Sequence, residues 1–342
     1  ALASTRLPAG HPRHAEALEA LGRVLVDRGD YDAAIPVLRD AVQHRAEAGV
    51  ETVEYAGALY ELANANFYAG QYDVSDSLNR QVLALHQRLL GERHPSVADD
   101  LVNLGAGQFE RANYGDAERY YRQALDITQG HFGRDHFRTA SNLTMLGRSL
   151  VMQKRFDEAT AALDQALAIR ERVYGPVHPA VASTVNELGS IALQRERYGE
   201  AEAAYRRMLG IYRSVYRDGH YLIGIAQSNL ASVYMARGEN AEAESIFRDA
   251  IATYERTLAP GHTNTAIARI KLGRTLLRQA KYAEAEHQSR AGYEILKPQL
   301  NPSASWLVSA RADLAKAYDA LKRPDEAARV RAESATVAAK PK

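Results

Sequence analysis

The sequence predicts an all-α solenoid of about eight antiparallel helix pairs, and three observations carry that expectation. Its 342 residues repeat with a period of 42 through nearly the whole chain. Each period holds two stretches of helical apolar spacing, and it leaves no room for a strand run. A histidine marks the period at His94, His136, His178, His220 and His262. Leu followed by Gly or Ala marks it again at Leu21, Leu62, Leu104, Leu146, Leu188, Leu230, Leu272 and Leu314, eight copies whose first step is 41 residues and whose next six are 42 each.

Each element of a copy has its own local reason. A first helix, A, follows from Val181, Val185, Leu188, Ile191 and Ala192, which recur at the 3.6-residue period of one helical face. Polar breaks such as Arg28-Gly29-Asp30, Ala112-Asn113 and Ala236-Arg237-Gly238 end it. A second helix, B, follows from Ala117, Tyr121, Ala124, Thr128 and Phe132. Gly91, Gly133, Gly175 and Gly261 then suit the left-handed stop after a helix. His-Pro opens the next A helix at His11-Pro12, His94-Pro95 and His178-Pro179, since proline's missing N–H costs nothing at the first helical position. The units are expected at about 11–51, 52–93, 94–135, 136–177, 178–219, 220–261, 262–303 and 304–335, forming one array. Residues 1–10 are expected as an N-terminal extension and 336–342 as a flexible tail.

Small residues at Ala34, Ser75, Ala117, Ala159, Ala201, Ala243, Ala285 and Ala327 are expected to let helix B approach its neighbours, with the marker leucines filling the space between. Tyr31, Tyr72, Tyr114, Tyr198 and Tyr282 stand at the start of helix B and are expected to be core. The recurring histidines are expected to be loop and cap residues, because one per unit cannot converge on a metal. The last unit, opening at Pro324 and carrying Arg329, Arg331 and Glu333, is expected to cap the array.

Composition excludes several function classes. Hydrophobic residues make up 46% and charged residues 25%, the balance of a folded globular chain. Lys plus Arg number 43 against 42 Asp plus Glu, so the net charge of +1 lacks the cationic excess that grips nucleic acid. With no cysteine there is no disulfide, thiolate nucleophile or Cys-ligated metal. No apolar run approaches the roughly 18 residues of a membrane span, so no membrane insertion is expected. No phosphate loop, His-Glu-x2-His or Gly-x-Ser-x-Gly motif occurs; no cofactor, metal or catalytic residue is expected, and the protein reads as no enzyme. The chain begins at Ala1 and not Met, so it is expected to be a processed product or a piece of something longer, placed in the cytoplasm.

Leu104-Gly105, Tyr114, Ala117 and Ala124-Leu125 resemble the tetratricopeptide repeat, over residues 11 to about 335. The longer 42-residue form, with Gly175-Pro176-Val177-His178-Pro179-Ala180-Val181-Ala182 and Asn186-Glu187-Leu188-Gly189, is similar to the repeats of kinesin light chains and their bacterial relatives. The resemblance implies a right-handed superhelix with the A helices lining the inner groove, and a protein or peptide as partner. It also implies an alternative, a sensor or regulatory region of a larger bacterial signalling protein that binds a partner or small ligand.

Inner positions of helix A vary where packing would not, so they are the candidate site. They are Asn64, Phe67, Asn103, Phe109, Arg148, Asn186, Asn229, Lys271, Arg274 and Arg278. In the resembled family, Asn at the positions of Asn103 and Asn229 bonds the backbone of an extended peptide; Asn186 is a looser match. The Lys-x3-Asn start of a chaperone-tail clamp is absent, the paired positions reading Asp99 with Asn103 and Ile225 with Asn229. Glu16, Glu19, Asp27 and Glu61 place acid near one end, and Lys271, Arg274 and Arg278 place base near the other. An acidic segment is therefore expected over repeats six and seven, near Asn229. The oligomeric state is left open.

Overall fold

The computed structural model describes residues 12–217 and 219–338. Sixteen helices and no strand occur among them. The chain parts into two compact units, the first ending at Val173 and the second beginning at Tyr174.

The first unit holds four pairs: α1 (Pro12–Asp27) with α2 (Tyr31–Ala48), α3 (Val53–Tyr68) with α4 (Tyr72–Leu90), α5 (Pro95–Glu110) with α6 (Tyr114–Phe132), and α7 (Phe137–Met152) with α8 (Phe156–Tyr174). The second holds α9 (Pro179–Gln194) with α10 (Tyr198–Tyr216), α11 (Tyr221–Arg237) with α12 (Asn240–Thr257), α13 (Thr263–Arg278) with α14 (Tyr282–Leu296), and α15 (Ser305–Ala320) with α16 (Pro324–Ala338). Helix α16 runs to Ala338, and residues 339–342 of the expected tail lie outside the described residues. The extension 1–10 lies outside the described residues.

The same local devices start and stop these helices in each unit. His94, His136, His178, His220 and His262 are the N-caps of α5, α7, α9, α11 and α13, each accepting on Nδ1 the backbone N–H two residues on, at 3.1–3.3 Å. This satisfies one of the orphan donors of a helix start, which explains the periodic histidine without any metal. At the turn between A and B the chain passes through φ of 58–83° at Gly29, Gly70, Ala112, Lys154, Glu196, Gly238, Ala280 and Lys322. Only three of the eight are the glycine that this left-handed region favours.

Packing follows the small positions. Ala34, Ala117, Ala159, Ala201, Ala243, Ala285 and Ala327 are fully buried, and Ser75 nearly so. The glycine of the marker makes room for the paired B helix, since a Cβ on Gly105, Gly147 or Gly189 would lie 2.6–2.9 Å from Tyr121, Leu163 or Tyr205 there. In the first unit Ala34, Leu38 and Leu62 cluster between α2 and α3, and Val97, Leu101, Tyr120 and Ile127 between α5 and α6. In the second, Ile270, Leu296, Leu307 and Leu314 join α13 to α15.

Two expectations are corrected. Leu21 is 48% exposed, since α1 has no preceding pair to cover it among the described residues. The tyrosines that open helix B are rim residues, with Tyr31, Tyr72, Tyr114 and Tyr198 half-buried and Tyr282 exposed. They sit on the first turn, where Tyr31 stacks on Tyr68 at 6.0 Å and Tyr72 meets Phe67 edge-on at 5.5 Å, both at the end of an A helix.

Candidate functional site

The A helices of the first unit border a cavity of about 590 Å³. Helix α3 contributes Tyr60, α5 contributes Asp99, Asp100 and Asn103, and α7 contributes Arg138 and Asn142. A second cavity of about 220 Å³ shares Tyr60, Val102 and Asn103 with it and adds Asn64, Phe67 and Met145. The two form one groove along α3, α5 and α7.

Three of the expected site residues, Asn64, Phe67 and Asn103, therefore meet there. The amides of Asn64 and Asn103 make no hydrogen bond among the described residues. Phe109 lies beside Tyr114 at 5.3 Å and beneath the Arg148 guanidinium, also at 5.3 Å. These two build an aromatic and cationic contact of their own, away from the residues that line the two cavities.

Sequence reasoning missed the floor of the larger cavity. His86 Nδ1 on α4 donates to Asp100 Oδ2 on α5 at 2.7 Å. The Asn142 amide on α7 donates to Thr128 Oγ1 on α6 at 3.1 Å. Asp100, Thr128 and Asn142 are buried and His86 nearly so. Burial raises the Asp100 carboxyl above its ordinary range, against the lowering effect of the His86 bond. Over this floor Arg138 Nη1 donates to both Asp99 oxygens, at 2.9 and 3.2 Å.

In the second unit the expected site residues are engaged with one another or with neighbours. The Asn229 amide donates to Asn186 Oδ1 at 2.7 Å. Lys271 Nζ donates to Ser232 Oγ at 3.1 Å and lies 5.7 Å from the centre of the Trp306 ring. Burial first, and the nearby Arg274 second, lower its ammonium to about 8. Arg274 Nε donates to Asp313 Oδ2 at 2.9 Å, and Arg278 Nη1 to the Met235 carbonyl. At the acid end Glu19 is paired with Arg45 and Glu61 with Arg23. Glu19, Glu61 and Arg274 are thus paired locally, while Lys271 and Arg278 bond uncharged oxygens. The cause is a lateral register: the residue two past the marker leucine on one A helix meets the residue before the marker on the next, as in Arg23–Glu61, Ser232–Lys271 and Arg274–Asp313.

Among the described residues no group of three or more His, Asp or Glu could hold a metal. What the groove offers is shape, two free amides and one buried carboxylate. No helix of the described residues is long and apolar enough to cross a membrane.

Comparison with known proteins agrees with this architecture. Tetratricopeptide repeat models match residues 54–130, 131–214 and 222–297, and a second such model matches 1–49 and 20–87. Among solved structures, BtubC (BKLC) from P. vanneervenii is 20% identical, with 66% of this chain and 91% of that one covered at a TM-score of 0.58. Repeats of a putative kinesin light chain from Podosopora anserina are 21% identical over 61% of this chain and 99% of that one, with a TM-score of 0.51. The quorum sensor NprR from B. thuringiensis is 13% identical over 94% of this chain and 87% of that one, with a TM-score of 0.66. No curated protein matches the chain. With eight helix pairs in a 42-residue register and family matches over most of its length, the chain belongs to the tetratricopeptide repeat family.

Proposed function

We propose that the protein is a non-catalytic binding module that takes a peptide or an extended partner segment in the A-helix groove of its first unit. The observation that carries this reading is the pair of amides, Asn64 and Asn103, that share one cavity and bond nothing else. A side-chain amide presents one acceptor and two donors, the complement of a peptide backbone, and each bond formed to one would contribute about 0.5–1.5 kcal/mol. In the second unit Asn229, the counterpart of Asn103, donates to Asn186 and is a poorer candidate. An acidic partner segment on the second unit would rest on Lys271, which makes no ion pair among the described residues. A cytoplasmic setting without nucleic acid or membrane as partner belongs to the same reading.

The test is a random peptide library panned against the chain, with affinities of selected peptides measured for the parent, Asn64→Ala, Asn103→Ala and the double variant. The double variant should bind at least tenfold more weakly with its melting temperature unchanged. Peptides that bind parent and double variant alike would overturn the assignment of the groove.

A second reading, a sensor or regulatory region of a larger signalling protein, is favoured by fold likeness. Besides the quorum sensor NprR, a signal-transduction ATPase with a tetratricopeptide repeat sensor from Pyrococcus horikoshii matches 94% of this chain, at 15% identity and a TM-score of 0.64. Attachment of a further domain in the full reading frame, with an activity altered by groove ligands, would support it.

A further inference from the structure

The floor of the larger cavity breaks the pattern of the repeat. The position of His86 in the 42-residue register is held in the second unit by Tyr212, Tyr254 and Leu296, and the position of Asp100 by Thr184, Ala226, Ala268 and Ala310. All seven are buried, and all but Thr184 are large apolar side chains or alanines, which suits a packed repeat interface. In the first unit the same two positions carry His86 with Asp100 and Thr128 with Asn142, and there the cavity opens. Exchanging ring and methyl for small polar pairs surrenders apolar burial, of order 1.5–3 kcal/mol for a large side chain, and buries a carboxylate. A structural role alone gives no reason for that exchange, since the Tyr and Ala pairs serve it in the neighbouring unit.

The carboxylates at this cavity bear on the sign of what it takes. Arg138 is held by both oxygens of Asp99, so that pair is neutral. Asp100 keeps Oδ1 without a hydrogen bond among the described residues, while Oδ2 receives the His86 proton. With Arg138 and Asp99 satisfying each other, Asp100 is the carboxylate of the cavity that has an oxygen left to accept from an incoming donor. Tyr60, 37% exposed and near enough to Asp99 and Asp100 for their charges to act on its phenol, offers a ring face to an incoming cation or its alkyl stem. A volume of about 590 Å³ lies within the range of small-ligand sites and admits a long side chain with its flanking backbone.

We infer that this cavity is a specificity pocket for a basic side chain, Arg or Lys, of the bound peptide, seated on Asp100 and against Tyr60. The inference rests on the groove reading given above and adds the chemistry that selects among peptides.

An array of extended peptides, each with one Arg, Lys, Glu or Leu scanned through a Gly/Ser/Ala background, tests it. The parent should prefer Arg or Lys over Leu at one position by about tenfold, and Glu should bind worst. The double variant His86→Thr with Asp100→Asn copies the Thr128 and Asn142 pair around which the chain already folds. It should keep its melting temperature and its binding to the neutral background while losing the basic preference. His86→Tyr with Asp100→Ala, copying the second unit, should fill the cavity and lose the same preference. Peptides bound by the parent with no basic preference, or a preference that survives in a folded His86→Thr, Asp100→Asn variant, would overturn this inference and leave the groove standing. Failure of every peptide to bind would overturn both.

Discussion

Alanine in place of glycine on a helix ordinarily stabilises it, and two glycines of one helix pair should respond with opposite signs. Gly210, in the interior of α10, has no atom within 4 Å of the place where a Cβ would stand. Gly210→Ala should therefore gain the helix propensity difference of about 0.8–1.0 kcal/mol. Gly189, on α9, would put its Cβ 2.9 Å from Tyr205 Cε1 and 3.1 Å from Ala204 Cβ. Tyr205 is buried and held among its neighbours, so it cannot swing away. Overpacking of this kind costs about 1–3 kcal/mol, which outweighs the propensity gain. The two variants should thus differ by roughly 1–3 kcal/mol, and their urea midpoints by about 0.5 M or more at ordinary denaturant sensitivity. Far-ultraviolet circular dichroism of both variants and the parent measures this directly. A Gly189→Ala midpoint at or above that of Gly210→Ala would refute the account of why Gly follows the marker leucine.

Other perturbations test other devices. Ala159→Leu and Ala201→Leu, at fully buried contacts, should each cost about 1–3 kcal/mol in the same assay. His178→Ala removes an N-cap acceptor and should cost about 0.5–2 kcal/mol, while His178→Asn should restore most of it. Ala280→Gly should stabilise by roughly 0.5–1 kcal/mol, since the left-handed backbone at φ 58° penalises alanine by more than glycine's extra unfolded freedom. Glu244 is desolvated, yet bonds from Lys281, Arg248 and Gln279 hold its carboxyl down at about 2. Because the folded value lies below the unfolded one, its contribution is present above about pH 4.3 and is lost as pH falls toward 2. Glu244→Gln should flatten this acid limb by on the order of 1–3 kcal/mol in pH-dependent melting.

Much of the fold was legible because every repeat interface poses the same packing problem. The B helices from α4 onward begin at Tyr72, Tyr114, Phe156, Tyr198, Asn240, Tyr282 and Pro324, each one period after the last, and the small residues three positions on are all buried. Side-chain pairing between neighbouring A helices was not legible. Asn186 and Asn229 stand 43 residues apart, one off the period, and only the geometry of adjacent helices brings them within 2.7 Å. The tyrosines opening helix B read as core by their recurrence, yet on the first turn of their helices they are half-buried or exposed. For the groove, Asn64, Phe67 and Asn103 were found from helix A alone. The His86 and Asp100 floor needed a comparison of B-helix positions across repeats, where the change from Tyr and Ala was already visible in the letters.

The 42-residue register also bears on how such a chain can change length. Loss of residues 94–135, one whole period, would remove α5 and α6 and bring α7 into the place of α5 against α4. Backbone, caps and small-residue contacts would find equivalents, so unequal recombination at this spacing preserves a foldable protein. The polar floor would not survive it unchanged: His86 would face Asn142 where it now faces Asp100, and the Asp100 carboxylate of the pocket would be gone. A single in-register deletion would therefore alter what the groove selects while sparing the scaffold that carries it.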